Sequence, residues 1–451
     1  MAVADLIIRG GAVVSDGDVI QADLAIADGT IVEIGPDIPG PAAQELDATG
    51  CHLVPGLIDA HVHFNEPGRT DWEGWATGSS ALAAGGGTTC FDMPLNASPP
   101  TIDGEAFGTK LAAASSQSRV DFALWGGLVP GQVDRLEELS DRGVIGFKAF
   151  MANSGIADFP AVDDLTLYEG MSEAARLGMI VAVHAESEAI TSRLAARAVA
   201  AGRTSVRDYL ASRPVVAELE AINRTIFFAG ETGCALHIVH VSSGRGVALV
   251  AEARARGLDV TCETCAHYLA LTEADVELLG AVAKCAPPLR AAAEGEELWD
   301  HIAGGTLPMV TSDHSPAPAA MKTGDDFFRI WGGISGIQST LPVLLSQGHH
   351  QRKLPLPSIV KIMSSNVADR FGLPAKGRLA VGRDADLAFV ALDEMFILRE
   401  EELLDRHRLS PYRGRSFCGR VTRTMLRGAT IVRDGATVGE PSGQFLRPAR
   451  P

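Results

Sequence analysis

Six residues of this 451-residue chain have the types and the placing to hold metal ions together: His61, His63, Lys148, His184, His240 and Asp313. Each stands at or near the end of a short apolar run. His61 and His63 close residues 56–64, and residues two apart on an extended strand face the same side, so both imidazoles point one way. Lys148 lies in residues 144–150, His184 near the end of 179–185, His240 near the end of 235–241, and Asp313, followed by His314, at the end of 307–313. Singly, each has a plain structural alternative: a strand-end histidine such as His240 as a hydrogen-bonded core residue, Lys148 as a snorkelling side chain or a substrate clamp. Together they differ, because six such groups from five strands would be costly to bury without a partner. Imidazole and carboxylate suit zinc, and also cobalt, manganese or iron.

Lysine is the unusual member of this set. An ammonium cannot ligate a metal, but burial lowers its pKa, and the neutral amine is a nucleophile. Reaction with carbon dioxide turns it into a carbamate (N6-carboxylysine), an anion with two oxygens able to bridge two ions. Two divalent ions, that carbamate, Asp313 and a bridging hydroxide leave a net charge of about +1, whereas an ammonium would add to the excess positive charge.

The elements that must position these groups follow from hydrophobic patterning. Apolar runs at residues 56–64, 87–93, 120–126, 144–150, 179–185, 235–241, 259–269 and 307–313 read as strands. Helix-like stretches at 72–84, 105–115, 165–177, 215–230, 244–256 and 356–370 fall between or after them. Eight strands alternating with helices predict an α/β fold, a (β/α)8 TIM barrel over residues 55–376, with the active site at the C-terminal ends of its strands. The two termini read differently. Residues 5–14, 21–27 and 30–34 are short strands separated by Asp16-Gly17 and Asp28-Gly29, and residues 425–435 repeat the pattern of 7–17. Residues 1–54 and 377–451 are therefore expected to form one small β-sandwich. The Pro-rich tail, 440–451, is expected either to cross a neighbouring subunit or to stay unstructured.

Bulk composition narrows the partners. The net charge is −17, from 39 basic and 56 acidic side chains, with no basic run to offset it. That excludes nucleic acid and anionic membranes as natural partners and leaves a small-molecule substrate. No signal peptide and no membrane span are read from the sequence, and the seven cysteines fit a reducing compartment, so the cytoplasm is expected. Cys262 and Cys265 form a C-x-x-C, but inside an apolar strand rather than at a helix start, which argues against a redox pair.

The motifs around these residues resemble a known family. Gly56-Leu-Ile-Asp-Ala-His-Val-His63 is similar to the opening of the cyclic amidohydrolases, a group of dihydropyrimidinases, hydantoinases, dihydroorotases and allantoinases. Phe64-Asn-Glu-Pro-Gly-Arg69, Met93-Pro-Leu-Asn96, Phe147-Lys-Ala-Phe-Met151, His240-Val-Ser-Ser243, Glu263-Thr-Cys-Ala-His-Tyr-Leu269 and Ser312-Asp-His-Ser-Pro316 look most like the allantoinase branch. The resemblance covers almost the whole chain. It implies His61 and His63 on a buried ion, carboxylated Lys148 as bridge, His184 and His240 on an exposed ion, and Asp313 as both ligand and catalytic proton carrier. It also implies a homotetramer, and a metal-bridging hydroxide that attacks the ring amide while Asp313 passes the proton to the leaving nitrogen.

The ring itself is read from departures. Dihydroorotases carry Arg where this chain has Asn65, and hydantoinases and dihydropyrimidinases carry Tyr where it has Asn153. Two amides suit a neutral, ureido-bearing ring such as allantoin, with allantoate as product, in purine or ureide catabolism. Their plain alternative is turn capping. Asn65, Asn96, Asn153, Ala286 and Ser335 are the expected substrate contacts, and His267 and His314 are candidates to orient the ligands. Ala266 and Ala317 depart from the branch pattern, which has Pro and Cys there. The alternatives are a hydantoinase or dihydropyrimidinase, or a metal-free scaffold, against which the complete ligand set argues.

Overall fold

A computed structural model of the chain describes residues 4–40 and 42–449. Five strands come first: β1 (Leu6–Val14), β2 (Val19–Ala27), β3 (Thr30–Gly35), β4 (Gln44–Asp47) and β5 (His52–Pro55). The barrel strands follow as β6 (Leu57–Val62), β7 (Gly87–Asp92), β8 (Asp121–Leu124), β9 (Gly126–Gly127), β10 (Phe147–Phe150), β11 (Ile180–His184), β12 (Ala235–Ile238), β13 (Val260–Cys265) and β14 (Met309–Thr311). All neighbouring pairs are parallel. β8 and β9 are halves of one strand interrupted at Trp125, whose N–H donates to Asp92 O (3.0 Å) and whose indole donates to Ala60 O (3.0 Å). The ring closes where His63 N–H meets His314 O at 2.8 Å, and Asp59 Oδ1 accepts from Ser312 N–H across the same seam (3.1 Å). A closed barrel leaves no strand edge, so its strands are buried along their whole length, as β6, β7, β10 and β11 are.

Helices cover the outside, and several start where a side chain satisfies a free N–H. Asp103 accepts from Ala106 (2.9 Å), Asp163 from Thr166 (2.7 Å) and Ser243 from Gly246 (3.2 Å). Three details differ from the sequence expectation. The run 259–269 stops as a strand at Cys265, and Ala266–Ala270 winds into a helical turn. Residues 356–370 are two α-helical segments around the wider π-turn Lys361–Ser365. The helix Glu188–Ala200 was not expected, because only Thr191 and Ala198 of it are buried and its apolar period is faint.

The termini join in one nine-stranded sheet. β15 (Leu387–Ile397), β16 (Ser416–Leu426), β17 (Ala429–Arg433) and β18 (Ala436–Thr437) continue through β5 to β1, β2 and β3, with β4 beside β1. Leu24, Ile26, Ile31, Leu53, Leu387 and Met425 share its core. The two similar segments use Arg-Gly differently. Arg9-Gly10 sits at a break in the β1–β2 register, with Gly10 at φ 64°, whereas Arg427-Gly428 turns β16 into β17, with Gly428 at φ 75°.

The tail corrects an expectation. Instead of leaving the molecule, residues 443–449 lie on its own barrel: Phe122 N–H donates to Gln444 O (2.9 Å), Leu446 N–H to Phe122 O (2.7 Å) and Ala449 N–H to Gly372 O (2.8 Å). Phe445 packs on Phe107 and Phe122, and a Cβ at Gly443 would fall 2.0 Å from Val120 O, so that approach needs glycine. The last two residues of the expected tail lie outside the described residues.

Candidate active site

The strand-end residues meet at one mouth of the barrel. His61 Nε2 and His63 Nε2 lie 3.2 and 3.3 Å from the same oxygen, Asp313 Oδ1. His184 Nδ1 faces His240 Nε2 at 2.9 Å, and the His184 ring stacks on Phe150 with centroids 4.6 Å apart. Lys148 is fully buried, with its Nζ 4.7 Å from the Phe150 ring centre. His240 and Asp313 reach the mouth at a cost: both leave their strands with positive φ, 41° and 44°, a region that costs a non-glycine residue about 1–3 kcal/mol. Such outliers persist where the surrounding structure over-determines them, and functional sites are where they cluster.

The hydrogen bonds on the far side of each ring decide what the near side presents. His61 Nδ1 lies 2.7 Å from Glu263 Oε1, and His63 Nδ1 lies 2.7 Å from Leu95 O. Neither oxygen can donate when the carboxylate is ionised, so both Nδ1 atoms carry the proton and both Nε2 atoms present lone pairs to Asp313. Three acceptors thus crowd together with no hydrogen between them, which a cation relieves. Lys148 Nζ and His240 Nδ1 are buried without a hydrogen-bond partner. The donor set of imidazoles, a carboxylate and an unpaired amine therefore fits divalent metal.

Electrostatics agree with that donor set. Burial lowers the pKa of His61 and His184, and drives His240 well down, so these rings are neutral. Burial also brings Lys148 down to about 7, against the pull of Asp313 and Glu263, which makes the free amine accessible near neutral pH. Behind His61, burial is outweighed at Glu263 by the hydrogen bonds from His237 and His61, holding it at about 2. His237 completes the relay through Thr261 Oγ1 (2.8 Å).

Above the metal-type residues opens a cavity of about 470 Å³, lined also by Asn96, Asn153, Arg213, Ala286 and Trp331. That volume suits a small ring. Asn65 and Ser335 lie outside the lining. Asn65 braces two loops: its Oδ1 accepts from Asn96 Nδ2 (3.1 Å) and its Nδ2 donates to Pro316 O (3.4 Å). Asn153 both lines the cavity and caps a turn, accepting from Gly155 N–H at 2.9 Å. His314 turns away from the mouth, with Nε2 3.4 Å from Glu73 and its ring edge-on to Phe64. His267 is buried and contacts the Ser312 backbone beside Asp313. Cys262 and Cys265 are buried free thiols, and burial pushes Cys262 up to about 12. Sequence patterning missed Glu186, Arg213, His237 and Glu263. The usable signal was a charged residue inside or just after a fully buried strand, since such a residue must be paired.

Comparisons with known proteins converge on one family. A match to "Amidohydrolase family" spans residues 52–431. An allantoinase of Rubrobacter xylanophilus is 61% identical over 450 residues, covering 100% of this chain and 99% of the relative. An allantoinase of Deinococcus radiodurans is 55% identical, covering 98% of this chain and 99% of the relative. Among solved structures, an L-hydantoinase (dihydropyrimidinase) from Arthrobacter aurescens superposes with a TM-score of 0.96 at 35% identity, over 98% of this chain and 100% of that one. A dihydropyrimidinase from Brevibacillus agri gives 0.91 at 32% identity, over 99% of each chain. With likeness over the full length and metal-type residues gathered at the barrel mouth, the chain belongs to the amidohydrolase family, in its group of allantoinases.

Proposed function

We propose that the chain hydrolyses the ring amide of allantoin to give allantoate. The observation that carries this is the gathering of His61, His63, His184, His240 and Asp313 around one small cavity, with the unpaired Lys148 amine close by, in a chain 61% identical to an allantoinase. His61 and His63 would hold one ion, His184 and His240 the other, with Asp313 as a further ligand and Lys148, as its carbamate, between them. Two divalent ions there, zinc being best matched to imidazole, would supply an activated water near neutral pH and an electrophile for the ring carbonyl.

The chain's own groups do the rest. Asp313, whose Oδ1 lies 3.2 and 3.3 Å from His61 and His63, takes the proton from the attacking water and delivers it to the ring nitrogen as the carbon–nitrogen bond breaks. Water is thereby added across one bond, giving a carboxylate and a free ureido nitrogen. Asn96, Asn153 and the backbone at Ala286 border the same cavity and offer amide donors and acceptors to a ureido ring. A hydantoinase or dihydropyrimidinase activity is the second candidate, favoured by the solved neighbours. Zinc-loaded protein assayed side by side should give kcat/KM on allantoin at least about tenfold above hydantoin, dihydrouracil and dihydroorotate, a margin of about 1.4 kcal/mol. The reverse order would overturn the assignment to allantoin.

The same proposal covers organisation. Residues 1–54 and 377–451 are taken as one domain and 55–376 as the barrel. The terminal sheet is taken to curl into a sandwich, supported by Ile31 N–H donating to Arg383 O (2.9 Å) and Gly382 N–H to Ile31 O (2.8 Å), which bring β3 back to the approach to β15. Among the described residues no helix is long and apolar enough to cross a membrane. A cytoplasmic homotetramer is the expected working form, tested by light scattering.

A further inference from the structure

His184 is tied on both sides of its ring. Nδ1 faces His240 Nε2 across the cavity floor, while Nε2 lies 3.0 Å from Glu186 Oε2. A carboxylate has nothing to donate, so Nε2 carries the proton and Nδ1 offers its lone pair to the cavity. Glu186 is completely buried and its other oxygen, Oε1, has no hydrogen-bond partner. Its Oε2 also pairs with Arg213, which forms part of the cavity wall. The Arg213 carbonyl in turn accepts from Arg290, whose Nε donates to Ser242 Oγ at 2.9 Å. The residues that follow β11 and β12 are thereby tied into one frame around His184 and His240. His61 and His63 are fixed separately, by Glu263 and Leu95, and meet this half of the site where the His61 and His240 ring centroids come within 5.4 Å.

We propose that Glu186 is the positioning residue of the His184/His240 half of the site: it fixes His184 in the tautomer and orientation that bind a divalent ion, and Arg213 holds it there. Glu186 itself neither contacts the substrate nor carries a proton in the reaction. The proposal rests on the two-ion site proposed above. A carboxylate on the far nitrogen of a ligating histidine raises the basicity of the near one, and its loss typically costs about 10–100-fold in metal affinity. A buried Glu186–Arg213 pair with only a structural role would instead affect folding and leave both ions equally bound.

The test is titration of metal-free protein with zinc in the presence of a competing chelator, with the cobalt-loaded absorption spectrum as a second readout. Wild type should take up two equivalents; uptake of none would overturn the two-ion site itself. Glu186→Gln should keep one equivalent at wild-type affinity, weaken the other by about 10–100-fold, and change the cobalt spectrum of one site. Glu186→Asp retains the charge but shortens the reach, and should weaken the same equivalent less. Should Glu186→Gln fail to fold, Glu186→Asp carries the test alone. Two equivalents at wild-type affinity in the folded variants, or equal weakening of both, would overturn the proposal.

Discussion

Two clusters of ionisable groups stand at opposite ends of the barrel, and each contains a lysine. At the end opposite the mouth, Lys376 Nζ sits 2.5 Å from Asp121, 2.7 Å from Asp384 and 2.7 Å from Asp386, and Arg427 also pairs with Asp121. Those three carboxylates have the spacing of a metal site, as do His61, His63 and Asp313. The difference lies in what fills them. The cluster opposite the mouth already contains its cations, so its hydrogen bonds are met within the chain, locking the barrel to the approach of β15 and, through Gln444 N–H on Asp121 (2.8 Å), to the tail. At the mouth the lysine amine has no partner, and imidazole lone pairs face a carboxylate with no donor between. Residue types alone do not separate a structural lock from a reactive site. The unmet hydrogen bonds do.

Breaking the two lysines should therefore produce opposite phenotypes. Lys148→Ala is expected to lose metal and activity together, by more than about 10³-fold, because an activated water is worth several kcal/mol of barrier. Short carboxylic acids should restore part of it by standing in for the carbamate. Activity close to wild type in that variant would refute the bridging role. Lys376→Met leaves buried carboxylates unpaired and should cost about 3 kcal/mol of stability, at the low end for a broken buried ion pair because Arg427 remains. Urea unfolding measures it, and the metal content of the folded fraction should not change. Metal loss in Lys376→Met with stability intact would reverse the roles of the two ends.

Chelation discriminates between the same two clusters without mutation. An ion that binds only the folded protein stabilises it by about 2.7 kcal/mol when free metal is a hundredfold above Kd. Stripping metal from wild type should lower its unfolding midpoint accordingly, and Lys376→Met should show the same decrement on top of its own loss. In Lys148→Ala the decrement should largely vanish, since the ion it would report is already gone.

Much of this was legible in the sequence, for reasons particular to each residue. The strand-end positions of His61, His63, Lys148, His184, His240 and Asp313 could be read because buried parallel strands are almost wholly apolar, so a polar residue at their end is conspicuous. Glu263 was hidden inside a run read as apolar, and only the three-dimensional juxtaposition with His61 and His237 gives it a role. Asn65 is expected at the substrate because it stands where dihydroorotases carry Arg. At φ 63° the chain turns there, and its amide reaches Asn96 and Pro316 instead. The path of the tail was invisible because backbone hydrogen bonds to Phe122 and Gly372 depend on no side-chain pattern.

The smallest effect concerns the state of Lys148 before metal enters. Burial lowers its pKa from the usual lysine value of 10.5 to about 7. Only the neutral amine can take up carbon dioxide, so the reactive fraction falls about tenfold for each pH unit below that value and levels off above it. Reconstitution of metal-free protein with zinc and bicarbonate should accordingly speed up through pH 7 and then plateau, with activity read at one fixed pH after each incubation. The Lys376 ammonium, enclosed by carboxylates that raise its pKa, stays protonated across the whole range and should contribute no such step. A reconstitution rate flat from pH 6 to 8 would mean that the amine is not what carbon dioxide meets, and the mouth cluster would then need another source for its bridging anion.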